Sequence, residues 1–136
     1  MKILVVDDET VSLRKMELIM KYYGTCDRLE NGEAAIEAFV KAWEDWSPYD
    51  LITLDMVMPQ MNGDETLVKI RELEKQKNVP EDHRVKVIMV TSQADKETIV
   101  ACIQAGCNDF ISKPFDRTII EERLSKLFPH QQFKTI

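Results

Sequence analysis

Four short stretches of this sequence carry residue types that could act together: the acidic run Asp7-Asp8-Glu9, the single Asp55, the hydroxyl pair Thr91-Ser92, and Lys113 ahead of Pro114. Singly, each has an ordinary structural role. Acids after a strand suit a helix cap, Thr-Ser suits another cap, Asp55 suits a strand end, and Lys-Pro suits a fixed turn. Together they suggest chemistry. Carboxylates ~4 Å apart repel by roughly 4 kcal/mol per pair at an effective dielectric of about 20, more than one lysine offsets, so such a cluster calls for a bound cation. Oxygen ligands without Cys or His select a hard ion, and a partial protein ligand set with room for water and a phosphoryl oxygen is how Mg²⁺ usually binds. A carboxylate beside Mg²⁺, faced by a lysine and a hydroxyl, is equipped to accept a phosphoryl group.

For these residues to meet, the chain must bring them to one edge. Short Val- and Ile-rich runs, Ile3 to Val6, Leu51 to Leu54 and Val85 to Val90, read as buried strands, with weaker strands at Thr25 to Leu29 and Asp109 to Ser112. Between them, apolar residues recur at helical spacing over Val11 to Tyr23, Glu33 to Glu44, Asp64 to Lys77, Lys96 to Ala105 and Arg117 to Leu127. Strict alternation implies parallel strands, right-handed crossovers and helices on both faces, an α/β doubly wound sheet. In such sheets ligands bind outside the carboxyl ends of the strands, and each of the four stretches follows a strand. The polar stretch Glu74 to Arg84, containing Asn78-Val-Pro80, is expected to end the third helix and form an extended loop.

Composition excludes several other classes. The 136 residues suffice for one domain, 44% are hydrophobic and 31% charged, and the formal charge is −6. That balance offers no general attraction to nucleic acid or anionic lipid. The longest apolar run, Ile99 to Ile103, is far too short for a membrane span. Cys26, Cys102 and Cys107 cannot pair completely, and His83 and His130 have no ligand at zinc spacing, which favours a reducing cytoplasm over a disulfide or zinc framework. Trp43 and Trp46 read as core or surface packing, Cys102 and Cys107 as inert small apolar residues, and Met56, Met58 and Met61 as packing around Asp55.

The acidic pair Asp7-Asp8, the segment Asp55-Met56-Val57-Met58-Pro59 followed by Gly63, Thr91-Ser92 and Lys113-Pro114-Phe115 together resemble the receiver domain of two-component response regulators, from Lys2 to about Leu127. The resemblance implies a flavodoxin-like fold of five parallel strands in the order 2-1-3-4-5. It implies that Asp55 is the phosphoacceptor and that Asp8, Asp55 and the backbone carbonyl of Val57 bind Mg²⁺, with Asp7 acting through water. Lys113 would pair with one phosphoryl oxygen and Thr91 would donate a hydroxyl to another. Phe110 stands where the family has a switch aromatic, often Tyr, and the Lys113-Pro114 bond would be cis. Val57 and Gln93 would flank the approach of hydrolytic water.

The implied function is a phosphorylation-controlled switch that is not a turnover enzyme in the ordinary sense. A histidine kinase or phosphotransfer protein would supply the phosphoryl group. An unknown output partner, or a second copy in a homodimer, would read a surface built from the fourth helix, fifth strand and fifth helix. Residues 1–128 would form the receiver domain and residues 129–136 a tail or the start of a linker, leaving open a complete single-domain regulator or a piece of a longer protein. A flavin module on the same fold would need a glycine- and hydroxyl-rich phosphate loop where this chain has three acids. A phosphatase working through an aspartyl phosphate commonly has a second acid two residues after its nucleophile, where this chain has Val57.

Overall fold

The computed structural model describes residues 1–131, so of the tail expected at 129–136, residues 132–136 lie outside the described residues. Five strands alternate with five helices: β1 (Lys2–Val6), α1 (Thr10–Met20), β2 (Thr25–Leu29), α2 (Gly32–Glu44), β3 (Leu51–Asp55), α3 (Gly63–Gln76), β4 (Lys86–Thr91), α4 (Lys96–Ala105), β5 (Asp109–Ser112) and α5 (Arg117–Leu127). All strand pairs are parallel and the sheet order is β2-β1-β3-β4-β5, as the resemblance implied. Order reverses at β1 and β3, whose carboxyl ends therefore flank the crevice where ligands bind in such sheets.

The strand sequences follow from burial on both faces. On one face Leu4, Val6, Ile52, Leu54, Val87 and Met89 pack with Phe39, Leu67 and Ile70 of α2 and α3. On the other, Ile3, Val5, Leu51, Ile88, Val90 and Ile111 pack with Leu13, Met16, Ile120 and Leu124 of α1 and α5. Central strands thus read as continuous apolar runs, whereas β2, an edge strand with Asp27 and Arg28 exposed, reads weakly. The first helix stops at Met20, short of the expected Tyr23. Its last bonds tighten instead, with Tyr22 N–H donating to Ile19 and Tyr23 N–H to Met20, and Tyr23 turns to Glu121 of α5.

Two expectations need correction. Trp43 packs against Phe39 with ring centroids 4.5 Å apart, but Trp46 is 93% exposed and is not a packing residue. The stretch from Glu74 ends the third helix as expected, α3 stopping at Gln76, but the connection is not a plain extended loop, since residues Glu81–His83 form a 3₁₀ turn. Glu74 is 1% exposed and carries a clamp. Its carboxylate accepts from Arg71 at 2.7 Å and from the Val85 N–H at 2.8 Å. Arg71 also donates to the carbonyls of Val85 (2.8 Å) and Gly106 (3.0 Å) and to Asn108 (2.9 Å), whose side chain accepts from Val87 N–H. One guanidinium so ties α3, the start of β4, the end of α4 and the start of β5. Helical periodicity treats Glu74 as polar and outward; its partners are up to 34 residues downstream of it, at Asn108 through Arg71, and no local pattern reports them.

Breaking a buried ion pair leaves an uncompensated charge, which costs about 3–5 kcal/mol. Arg71→Met is expected to lower urea-unfolding stability by that amount. Glu74→Gln keeps an acceptor for the Val85 N–H and is expected to cost less. A loss below about 1 kcal/mol in Arg71→Met would show that the clamp does not hold these elements.

Candidate functional site

Asp7 directly follows β1 and Asp55 is the last residue of β3, so parallel pairing of these strands sets the two acids side by side at the crevice. Asp7, Asp8 and Asp55 bring carboxylate oxygens within 4.8 Å of one another. Asp7 and Asp55 are buried; Asp8 is exposed. The cap reading of the first two acids fails: Glu9 is the N-cap of α1 and makes no side-chain cap bond. Glu9 leaves the cluster, its N–H donating to Asp7 at 2.9 Å and its carboxylate accepting from Ser12 at 2.7 Å.

Lys113 reaches the cluster from the end of β5. Its Nζ lies 3.0 Å from Asp7 and 3.5 Å from Asp55, so it bridges both acids. The ammonium sits after β5 because Lys113 N–H donates to the Thr91 carbonyl at 2.8 Å and the bond to Pro114 is cis, as expected. Burial, and then the charge of Asp7, push the Asp55 carboxyl up to about 7, against the opposing pull of Lys113. Burial lowers Lys113, but the hydrogen bond to Asp7 and the charges of Asp55, Asp7 and Glu9 outweigh it and leave the ammonium above its usual range.

Backbone packing explains the glycine in the segment after Asp55. A Cβ at Gly63 would lie 2.2 Å from the Asp55 carbonyl oxygen, so only glycine lets α3 begin beside Asp55. The Gly63 N–H donates to Met56 at 2.8 Å and Met56 N–H to Val90 at 2.9 Å, which fixes the loop to β4. Met58 is buried, and Met56 lies at the edge of the core. Val57 projects outward, 60% exposed.

The remaining expected residues lie on the same rim but do not all face the acids. Thr91 is 1% exposed, and its hydroxyl donates to the Gln93 carbonyl at 2.9 Å while accepting from Gln93 N–H at 3.0 Å. Asp95, not Thr91 or Ser92, caps α4 by accepting from Thr98 N–H at 2.8 Å. Gln93 is exposed. Phe110 is half-buried against the core edge and borders an open cavity of about 270 Å³ that Pro114 and Phe115 also line. The thiols are passive: burial raises Cys102, and pushes Cys26 and Cys107 up to about 11. Sequence reasoning missed the direct Lys113 to Asp7 contact, and a separation of 106 positions gives it no local signal.

The donor set fits a hard divalent cation. Mg²⁺ takes oxygen ligands at about 2.0–2.1 Å in octahedral geometry, so opposed ligands stand about 4 Å apart, close to the spread of these three carboxylates. Its charge would offset the burial and the Asp7 charge that raise Asp55, and Asp8 leaves one side of the cluster exposed.

The family model for the response regulator receiver domain matches residues 3–125. The chain is 36% identical over 126 residues to hybrid signal transduction histidine kinase L of Dictyostelium discoideum, covering 92% of this chain and 7% of that protein. It is 32% identical over 130 residues to chemotaxis protein CheY-3 of Vibrio cholerae serotype O1, covering 94% of this chain and 92% of that protein. The chain thus spans a small part of the first relative and nearly all of the second. Among solved structures, the receiver domain of the histidine kinase CKI1 from Arabidopsis thaliana complexed with Mg²⁺ and BeF₃⁻ is similar at a TM-score of 0.76 and 28% identity, covering 91% of this chain and 89% of that one.

The raised Asp55 carboxyl predicts a stability profile. Below the ordinary carboxylate range the group is protonated in both folded and unfolded chains and contributes nothing. As pH rises from about 4 to about 7 the unfolded chain ionises while the folded one keeps its proton, so stability falls, and the penalty is complete above pH 7. Asp55→Asn removes it. Without divalent cations, that variant is expected to be more stable than the parent by on the order of 2 kcal/mol above pH 7 and equal to it near pH 4 in urea titrations. Equal stability at both pH values would show that the Asp55 charge is not under strain.

Proposed function

The chain belongs to the response regulator receiver family of two-component signalling, and from that premise we propose that it is a phosphorylation-controlled switch whose acceptor is Asp55. The observation that carries the reading is the set of carboxylates from Asp7, Asp8 and Asp55 within 4.8 Å, bridged by Lys113. The donor is the phosphohistidine of a histidine kinase or phosphotransfer protein. An Asp55 carboxylate oxygen bonds to phosphorus as the P–N bond to the donor imidazole breaks, and the imidazole nitrogen keeps the bonding pair and takes up a proton. The chain promotes its own modification and is not a turnover enzyme.

Asp8, Asp55 and the Val57 carbonyl would hold Mg²⁺ directly, and Asp7 through water. Bound there, Mg²⁺ supplies positive charge opposite the phosphoryl oxygens. Asp7 keeps the Lys113 ammonium at the crevice, 3.0 Å away, so that it can pair with another phosphoryl oxygen. Thr91 is the switching hydroxyl. To donate to the phosphoryl group it must give up its bonds to Gln93, which couples the chemistry to the loop before α4. Phe110, with open volume beside it, follows that loop and alters the surface of α4, β5 and α5 that an output partner reads. A complete reversal of a two-state surface takes about 5.5 kcal/mol, within reach of a few charge-assisted bonds. The free thiols fit a reducing compartment, and the proposal places the switch in the cytoplasm with residues 1–128 as its receiver domain.

With a small acyl phosphate donor and Mg²⁺, intact-mass measurement is expected to show one adduct of ~80 Da in the parent chain and none in Asp55→Asn. Asp8→Ala is expected to raise the Mg²⁺ requirement by about tenfold or more, since a direct ligand is lost. An adduct that persists in Asp55→Asn defeats the assignment. Signal lifetime depends on water in line with phosphorus. Neither exposed Val57 nor Gln93 provides a general base, so the phosphorylated form is expected to last minutes, as a rough guide, and Val57→Asn to shorten it. Decay within seconds in the parent, followed by ³¹P NMR, contradicts the role given to these two side chains.

A further inference from the structure

We infer that the end of the molecule formed by the C-termini of α2 and α3 is a docking surface for a second copy of this chain. It lies away from the phosphoacceptor, because α2 ends where the chain turns back to begin β3, at the opposite edge of the sheet from Asp55. The first observation is the backbone at Trp46. Asp45 caps α2, Trp46 N–H donates to Trp43 and Ser47 N–H donates to Ala42, closing the helix with a two-bond motif whose pivot residue is left-handed. Trp46 is that residue, at φ 57°. Glycine takes this conformation at least cost, yet the position holds the largest apolar side chain and projects it into solvent, 93% exposed. A left-handed tryptophan and a large apolar ring left in solvent are both costs to the fold, which makes Trp46 a candidate contact residue.

The second observation is that Trp46 forms one wall of an open groove of about 490 Å³, opposite apolar walls that include Trp43, Pro48 and Val79, so a second copy's ring entering the groove would pack against Trp46 as well. Trp43 packs against the buried Phe39 ring, which anchors that wall to the core. The third is the charge at the groove. Glu44 and Lys77 both line it, both are exposed, and among the described residues neither has an ion pair. One patch therefore presents a projecting ring, a recess and one unpaired charge of each sign. A two-fold axis through such a patch makes it self-complementary: each Trp46 enters the other copy's recess, and each Glu44 meets the other copy's Lys77. An aromatic side chain buries about 150–250 Å², so two Trp46 rings and the recess surface they cover bury roughly 600–1,000 Å², the low end of interface sizes, where only a weak dimer that forms with concentration is expected. The surface of α4, β5 and α5 stays free in it.

Sedimentation velocity on the full, unphosphorylated chain from about 10 µM to about 1 mM is expected to move from monomer toward dimer, with tryptophan emission shifting to the blue as the indole is covered. Trp46→Gly is expected to remain monomeric throughout while its thermal midpoint equals or exceeds the parent's, so that loss of the dimer cannot be laid to unfolding. Lys77→Glu is expected to weaken association about tenfold or more, and Glu44→Lys combined with Lys77→Glu to restore it. A parent chain that stays monomeric to about 1 mM overturns the inference and leaves a foreign partner as the groove's occupant. Dimerisation that survives Trp46→Gly but is lost in Ile103→Asp also overturns it, by moving the contact to α4. Failure of the charge swap to restore association after Lys77→Glu has weakened it overturns the two-fold pairing.

Discussion

Bringing Asp7, Asp8 and Asp55 within 4.8 Å of one another leaves like charges that Lys113 alone cannot neutralise. In a folded chain this arrangement survives only because stronger constraints impose it. Apolar β1 and β3 are buried on both faces and locked in parallel register, and their carboxyl ends deliver Asp7 and Asp55 to one crevice whatever those side chains prefer. Burial first, and then the charge of Asp7, hold the Asp55 carboxyl above its usual range. Positive charge, from a divalent cation or from Lys113, is what such a site binds best.

Around that site the packing is uneven. The sheet and the helices α1, α2, α3 and α5 supply large buried side chains, whereas α4 buries only Cys102 and Ala105, both in its C-terminal half. Arg71 holds that half through the Gly106 carbonyl and Asn108. The N-terminal turns, next to the loop in which Thr91 binds Gln93, have no buried residue. A helix anchored at one end and sparsely packed at the other has low local stability at the free end, which is where elements that respond to a ligand are drawn from. The clamp on Glu74 therefore holds the C-terminal end of α4, and the end next to the Thr91 loop is the sparsely packed one.

The fold and the chemical types at the site were readable from the chain because both rest on local signals. Two-faced burial writes Val and Ile runs into the central strands, and helical burial writes a 3.6-residue period into the helices, so Ile3 to Val6 or Arg117 to Leu127 identify themselves. Polar residues that interrupt a strand at its carboxyl end, such as Asp55 and Thr91, stand out against those runs. The five-strand order came from the resemblance, since crossover connections alone admit other orders.

What only the tertiary structure decided was how residues far apart in the chain meet. Glu74 opened a polar stretch expected to end the third helix and is a buried anchor, because its bonds run to Arg71 and to the start of β4. Lys113 touches Asp7 as well as Asp55, and Thr91 spends its hydroxyl on its own loop. Trp46 matched every rule for a packing residue by type, and its exposure follows from a left-handed cap that turns the ring outward. The division has one cause. Periodicity records which side of an element faces the core, an average property of a dozen neighbours, whereas a hydrogen bond or ion pair depends on tenths of an ångström between groups that only the finished packing brings together.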